Sequence, residues 1–247
     1  MAYETDMQDL PPVTDWVNDW DWLDAQWGPN AIDIWNDIRE QCPVATTERY
    51  GRAHMPVTMD AVYEVANDTE HFSSIFVSVG HPDLPRRPAP PITSDPPDHH
   101  AHRRLLLPSF SPKKIAKMEQ DMREFCRGLI ADLEGETHAD ASDTYAQHIP
   151  VHGICQLLGV PETDADMYRD WIFRNFQLAP RDPKVRLQIM EEMNAYNTRI
   201  LDERLADPRD DMLSLIAHAT IDGEPVPREL QNGYVALMII AGIDTTW

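Results

Sequence analysis

Basic residues are scarce. The 247-residue chain has 21 Lys and Arg against 42 Asp and Glu, a formal net charge of −21. That balance excludes the basic footprint a nucleic-acid partner needs, and it works against docking on an anionic membrane surface. Cysteines number three, Cys42, Cys126 and Cys155. An odd count without metal-like spacing excludes a disulfide framework and reads as reduced thiols. Long apolar runs are missing as well. Residues 1–27 carry no positive lead and no leader-like apolar core, and no segment is long enough to cross a bilayer. These absences predict a soluble, cytoplasmic protein with an acidic, solvated surface. The first forty residues hold a single basic side chain, Arg39.

Hydrophobic residues make up 42% of the chain, which is ordinary for a globular protein. Residues 1–28 read as an irregular or weakly helical lead whose tryptophans pack onto the main body. Asn30 is placed as the N-cap of a helix reaching Cys42 through Ile34, Trp35 and Ile38. Short strands follow near residues 44–48 and 53–56, turned at Tyr50-Gly51. A short helix over residues 58–67 presents Val62, Val65 and Ala66 on one face. Residues 112–133 form a long helix with Ile115, Met118, Met122, Phe125, Leu129 and Leu133 as its stripe. Further helices end at Gly159 and flank Pro180 and Pro183. A short helix at 210–220, a hairpin on Asp222-Gly223 and a last helix opened by Pro227 complete the chain. No internal repeat or low-complexity segment occurs.

Three stretches carry chemistry. Residues 73–94 form a proline-rich loop, and Ile75, Phe76, Val77, Val79, Leu84 and Ile92 give it apolar surface for lying over a pocket. Next comes Asp95-Pro96-Pro97-Asp98-His99-His100-Ala101-His102-Arg103-Arg104. Past Pro97 the chain turns helical. His99 and Arg103, four apart, then share a face and suit an anionic ligand such as a carboxylate. Zinc at His99 and His102 is the competing reading, but no second cluster offers the remaining ligands. From His99 to Met118 there is no acid, while Arg103, Arg104, Lys113, Lys114 and Lys117 are basic. This local patch suits an acidic partner, unless acids elsewhere in the fold neutralise it.

The last stretch runs Leu237-Met238-Ile239-Ile240-Ala241-Gly242-Ile243-Asp244-Thr245-Thr246. One reading ends an apolar helix at Gly242. The other continues it, so that Gly242 lets something flat approach the backbone. The Thr245 hydroxyl can then reach the Ala241 carbonyl and loosen the ladder. A loosened turn beside an acid can hold a small polar ligand and pass it protons.

Ala241 to Thr246 resembles the oxygen-activation motif of the cytochrome P450 family, and Asp95 to Arg103 resembles that family's propionate-binding helix. Ser109-Phe110-Ser111-Pro112 is similar to its continuation. The resemblance implies a mainly α fold with a small β region. It makes residues 1–247 the N-terminal portion of a single cytochrome P450 domain. It implies a haem-thiolate monooxygenase that uses O2, haem b and a ferredoxin-type donor to hydroxylate a small organic substrate. His99 and Arg103 would hold a propionate, and Ala241 and Gly242 would let the helix pass over the haem. Asp244 and Thr245 would be catalytic, delivering protons during oxygen activation. Phe76, Val79, Ile92, Phe173, Phe176, Leu237 and Ile240 would line the substrate pocket. Phe173, Phe176 and Leu178 have ordinary core as their alternative. The family's Glu-x-x-Arg helix and its glycine-rich loop with the iron-ligating cysteine do not appear before Trp247. That role passes to none of the three cysteines, and the chain alone is expected to be inactive. A haem-free helical scaffold and a His-based metal hydrolase are the alternatives from other classes.

Overall fold

A computed structural model describes residues 10–76, 79 and 87–246. The described residues hold nine α-helices, four short 3-10 or π segments and two small hairpins. Helix α1 spans Trp27–Gln41, β1 Val44–Thr47, β2 Ala53–Pro56 and α2 Met59–Asn67. After the proline-rich loop come α3 (Asp98–Leu106), α4 (Pro112–Ala131), α5 (His148–Leu158), α6 (Ala165–Phe173), α7 (Pro183–Ala206) and α8 (Met212–Ala217). The hairpin of β3 (Thr220–Ile221) and β4 (Glu224–Pro225) leads into α9 (Arg228–Asp244).

Local chemistry explains most boundaries. Thr58 caps α2 by accepting from the Ala61 amide, and Asp182 caps α7 by accepting from Lys184. Pro112 and Pro183 sit where a helix needs no N–H. Gly159 ends α5 at φ +82, a left-handed cap that glycine adopts without cost. Antiparallel β1 and β2 pair Val44 with Pro56 and Thr47 with Ala53. The turn between β3 and β4 has positive φ at both Asp222 and Gly223, as a tight hairpin requires.

Two apolar clusters form. The larger joins α5, α6, α7, α8 and α9 around Leu158, Tyr168, Leu201, Leu213, Tyr234 and Ile239. The smaller packs the N-terminal lead and α1 on the first hairpin, through Trp20, Ile34, Ile38, Ala45 and Tyr50. Completely buried side chains such as Ile38 and Leu201 each stabilise the fold by about 1.5–3 kcal/mol.

One expectation is corrected, and two expected helix faces prove open to solvent. Asn30 is not a cap: α1 starts at Trp27, and Asn30 is a non-helical kink inside it. The Val62, Val65 and Ala66 face of α2 is not buried, and Val62 is 43% exposed. Helix α4 likewise buries none of its stripe completely, and Ile115 is 47% exposed. Both helices satisfy the period but lie at the margin, where amphipathicity marks a face without supplying a neighbour.

Candidate functional site around helices α3 and α9

Helix α9 buries Val235, Ile239 and Ile243 in the main core. Its other side carries Leu237, Ala241 and Thr245, spaced four apart, with Ile240 and Asp244 beside them. Ala241 and Thr245 are exposed, and the other three are half-buried. The Thr245 hydroxyl donates to the Ala241 carbonyl at 2.8 Å, while the Thr245 amide turns to the Ile243 carbonyl. The side chain has thus taken over an acceptor from the helical ladder, as the spacing predicts. Gly242 requires a correction. A Cβ there would lie 2.1 Å from Ile154 Cδ1 of α5. Its missing side chain makes room for core packing, not for a flat ligand.

Helix α3 lines up His99, half-buried, with Arg103, exposed. Among the described residues no hydrogen bond or ion pair engages the Arg103 side chain. Arg104 and Lys113 also lack ion pairs there, whereas Lys114 reaches Asp210 at 3.2 Å and Lys117 reaches it at 4.0 Å. Lys114 holds the Asp210 carboxyl below its usual range. Among the described residues the basic patch therefore divides into two lysines paired with Asp210 and three cations without an ion pair of their own, of which Lys113 still lies within the field of Asp210.

His102 bonds through Nδ1 to the Tyr234 hydroxyl, tying α3 to α9. Tyr234 is fully buried, and burial pushes its phenol up to about 12. Among the described residues no group of three or more His, Cys, Asp or Glu can hold a metal ion. Tyr234 escaped sequence reading because one hydroxyl in an apolar helix gives no periodic signal.

Burial lowers the His102 pKa, against the pull of Asp98 and with the repulsion of His99. The unfolded chain thus binds this proton more readily than the native one. Its contribution to stability is complete above about pH 6.5 and is lost as pH falls through that value toward the depressed native pKa. Replacing His102 by Gln should flatten the fall in urea midpoint between about pH 8 and pH 5 relative to the parent protein. An unchanged slope would rule out the burial effect.

The described part of the proline-rich loop is tied at several points. Asp95 accepts from the Ser74 amide at 2.7 Å and from the Ser73 hydroxyl. Arg87 Nη1 donates to the Met190 carbonyl of α7 at 3.2 Å. Phe76, Val79 and Ile92 are exposed along it. Val77, Pro82, Leu84 and Pro85 lie outside the described residues. Phe173, Phe176 and Leu178 at the end of α6 are exposed too, Phe173 at 51%, so ordinary core does not account for them.

Comparison with known proteins bears on this arrangement. No protein-family model matches the chain. It is 33% identical over 221 residues to the erythromycin C-12 hydroxylase of Saccharopolyspora erythraea, covering 87% of this chain and 54% of that protein. It is 34% identical over 166 residues to the vitamin D(3) 25-hydroxylase of Pseudonocardia autotrophica, covering 66% and 41%. Its fold is similar to that of a mutant P450 EryK in complex with erythromycin B, with a TM-score of 0.74, 27% identity, and coverage of 87% and 55%. The chain belongs to the cytochrome P450 family. It spans about half the length of the curated relatives it matches. This membership does not favour the haem-free scaffold.

Cytochrome P450 proteins carry haem ligated by a cysteine thiolate. The exposed Ala241 and Thr245 on α9 and the Arg103 side chain, which has no ion pair among the described residues, are compatible with residues that would hold such a group. Neither Cys155 nor Cys42 is placed for the thiolate role. Cys155 is buried in the core, where burial, reinforced by Glu162 and Asp164, pushes its thiol up to about 12. Cys42 donates to the Val44 carbonyl at 3.2 Å, as a structural thiol does. Among the described residues no helix is long and apolar enough to cross a membrane.

Proposed function

We propose that the chain carries the distal side of a haem-dependent monooxygenase that hydroxylates an organic substrate. The Thr245 hydroxyl bonded to the Ala241 carbonyl, on an exposed face of α9, is the observation that carries this reading. That hydroxyl can rotate between the carbonyl and a ligand beside the helix, moving a proton as it does so. Asp244, adjacent and half-buried, is the residue to resupply it. Ala241 contributes only a methyl group, so the helix can lie close to a flat group. Haem b is the group proposed, and when bound it supplies the activation of O2. His99 and Arg103 hold its propionate by charge-assisted hydrogen bonds.

Leu237 and Ile240, about one turn before the loosened carbonyl, face the substrate. Phe76, Val79, Ile92, Phe173 and Phe176 supply further apolar surface from the loop and the end of α6. An apolar lining of this kind accepts an organic molecule with a sizeable apolar part. Arg104 and Lys113 are the docking cations for an acidic, ferredoxin-type electron donor.

Haem titration into the purified protein tests the reading, followed by the haem band and by tryptophan fluorescence. Saturable binding is expected, and Arg103→Leu should weaken it about tenfold, the effect of one lost charge-assisted bond. A haem affinity indifferent to both Arg103→Leu and His99→Leu would overturn the assignment. In reduced, haem-loaded protein, the carbon monoxide spectrum reports separately whether the iron ligand is a thiolate.

A further inference from the structure

Gly233 lies inside α9, where glycine costs about 1 kcal/mol relative to alanine. The cost has a local reason. A Cβ at this position would lie 2.1 Å from the Pro88 carbonyl oxygen, 3.0 Å from its carbon and 3.1 Å from Pro90 Cδ. The opposing atoms are backbone and proline ring, which have no rotamer to yield with. Residues 87–94 therefore cross α9 as a strap seated directly on Gly233. The strap is fixed elsewhere as well. Arg87 Nη1 donates to Met190 O at 3.2 Å, the Ala89 amide donates to Thr93 Oγ1 at 2.8 Å, and the Ser94 amide donates to Pro91 O at 3.1 Å.

Helical spacing gives this seat a direction. Gly233, Leu237, Ile240 and Asp244 stand at spacings of four, seven and eleven residues, so they follow one side of α9, while Ala241 and Thr245 lie farther round the helix. The strap thus sits over the side of α9 that carries the proposed substrate residues Leu237 and Ile240 and the proton-delivery residue Asp244. It stands eight residues before Ala241, roughly 12 Å along the axis.

We propose that Gly233 is a positioning residue for substrate specificity: it seats residues 87–94 on α9 and so fixes the far wall of the substrate cleft. The substrate class this favours is an apolar body that fits between that wall and Ala241. Any side chain at position 233 lifts the strap and lengthens the cleft beneath it. The seat rests on geometry alone, while its effect on substrates rests on the monooxygenase reading above.

The test has two readouts. Hydrogen exchange at the Ala89 and Thr93 amides, measured in the purified chain, reports the seat. Binding of 1-alkylimidazoles with lengthening n-alkyl chains to haem-loaded protein reports the wall. In Gly233→Ala, exchange at Ala89 and Thr93 should rise about tenfold or more, with little change in α7. The chain length at which affinity stops rising should move to longer alkyl groups. Unchanged exchange in the strap would overturn the seat. Faster exchange with the same alkyl cut-off would overturn the wall and leave the monooxygenase reading standing. Wild-type protein that takes up no haem would overturn that reading, and with it the wall, while exchange still decides the seat. If Gly233→Ala does not fold, Thr93→Val releases the strap from its own side. Because it removes the acceptor of the Ala89 amide directly, the alkyl cut-off decides in that variant: a move to longer alkyl groups is expected, and an unchanged cut-off would overturn the wall.

Discussion

Replacing Asp211 by Ala should destabilise the protein by about 3–5 kcal/mol, the cost of leaving one member of a buried ion pair uncompensated. Arg204 and Asp211 have side chains only 4% and 8% exposed, and they meet at 2.6 Å. Arg204 also donates to the Gly159 carbonyl, which ends α5. Asp211 caps α8 by accepting from the Ser214 amide at 2.7 Å. One carboxylate thus joins the end of α5, the last turn of α7 and the start of α8. Gly159 allows this, because a Cβ there would lie 2.3 Å from Asp211 Oδ2. The damage comes from the stranded charge more than from the lost attraction, and this distinction can be measured. Asp211→Ser keeps a cap oxygen and should cost less than Asp211→Ala. Combining Asp211→Ser with Arg204→Met removes both charges and should recover most of the loss in urea midpoint. If the double variant is as unstable as Asp211→Ala, the buried charge is not the cause.

Periodicity and caps made the helices behind this junction legible. Gly159 closes α5 and Asp222-Gly223 turns the second hairpin, each through a local rule that needs no neighbour. The junction itself was not legible. Arg204 and Asp211 are seven residues apart and cross a chain reversal, so their pairing depends on how α7 and α8 pack. The same limit applies at the margins. The stripes of α2 and α4 have the right period, but period does not say whether a partner covers them. Asn30 has the chemistry of a cap, yet Trp27 extends α1 past it by packing against Trp16 and Trp35.

The candidate site divides in the same way. The bond from Thr245 to Ala241 follows from spacing four within one helix, and the structure contains it. The shared face of His99 and Arg103 follows from the same spacing. Tyr234 and Gly233 were not singled out, since each acts on a segment more than a hundred residues away in the chain. Gly242 was singled out for a reason the structure replaces. A glycine beside a polar motif suggests room for a ligand, but only tertiary contacts show which side of the helix the room is on.

That correction carries its own test. Gly242→Ala should gain about 1 kcal/mol of helix propensity and lose about 1–3 kcal/mol to overpacking against Ile154. The added Cβ would stand 2.1 Å from Ile154 Cδ1 and 2.6 Å from Cγ1, and Ile154 is itself buried. A net loss of stability is therefore expected. Ile154→Val deletes the nearer atom and by itself should cost about 0.5–1.5 kcal/mol. In the Ile154→Val background the alanine should cost less, by about 1 kcal/mol or more, which is the signature of two residues sharing one space. Urea unfolding of the two single variants and the double variant measures this coupling. Strict additivity would mean that the added methyl does not press on Ile154. The room at Gly242 would then be open to a ligand, and the glycine would return to the set of residues facing the haem.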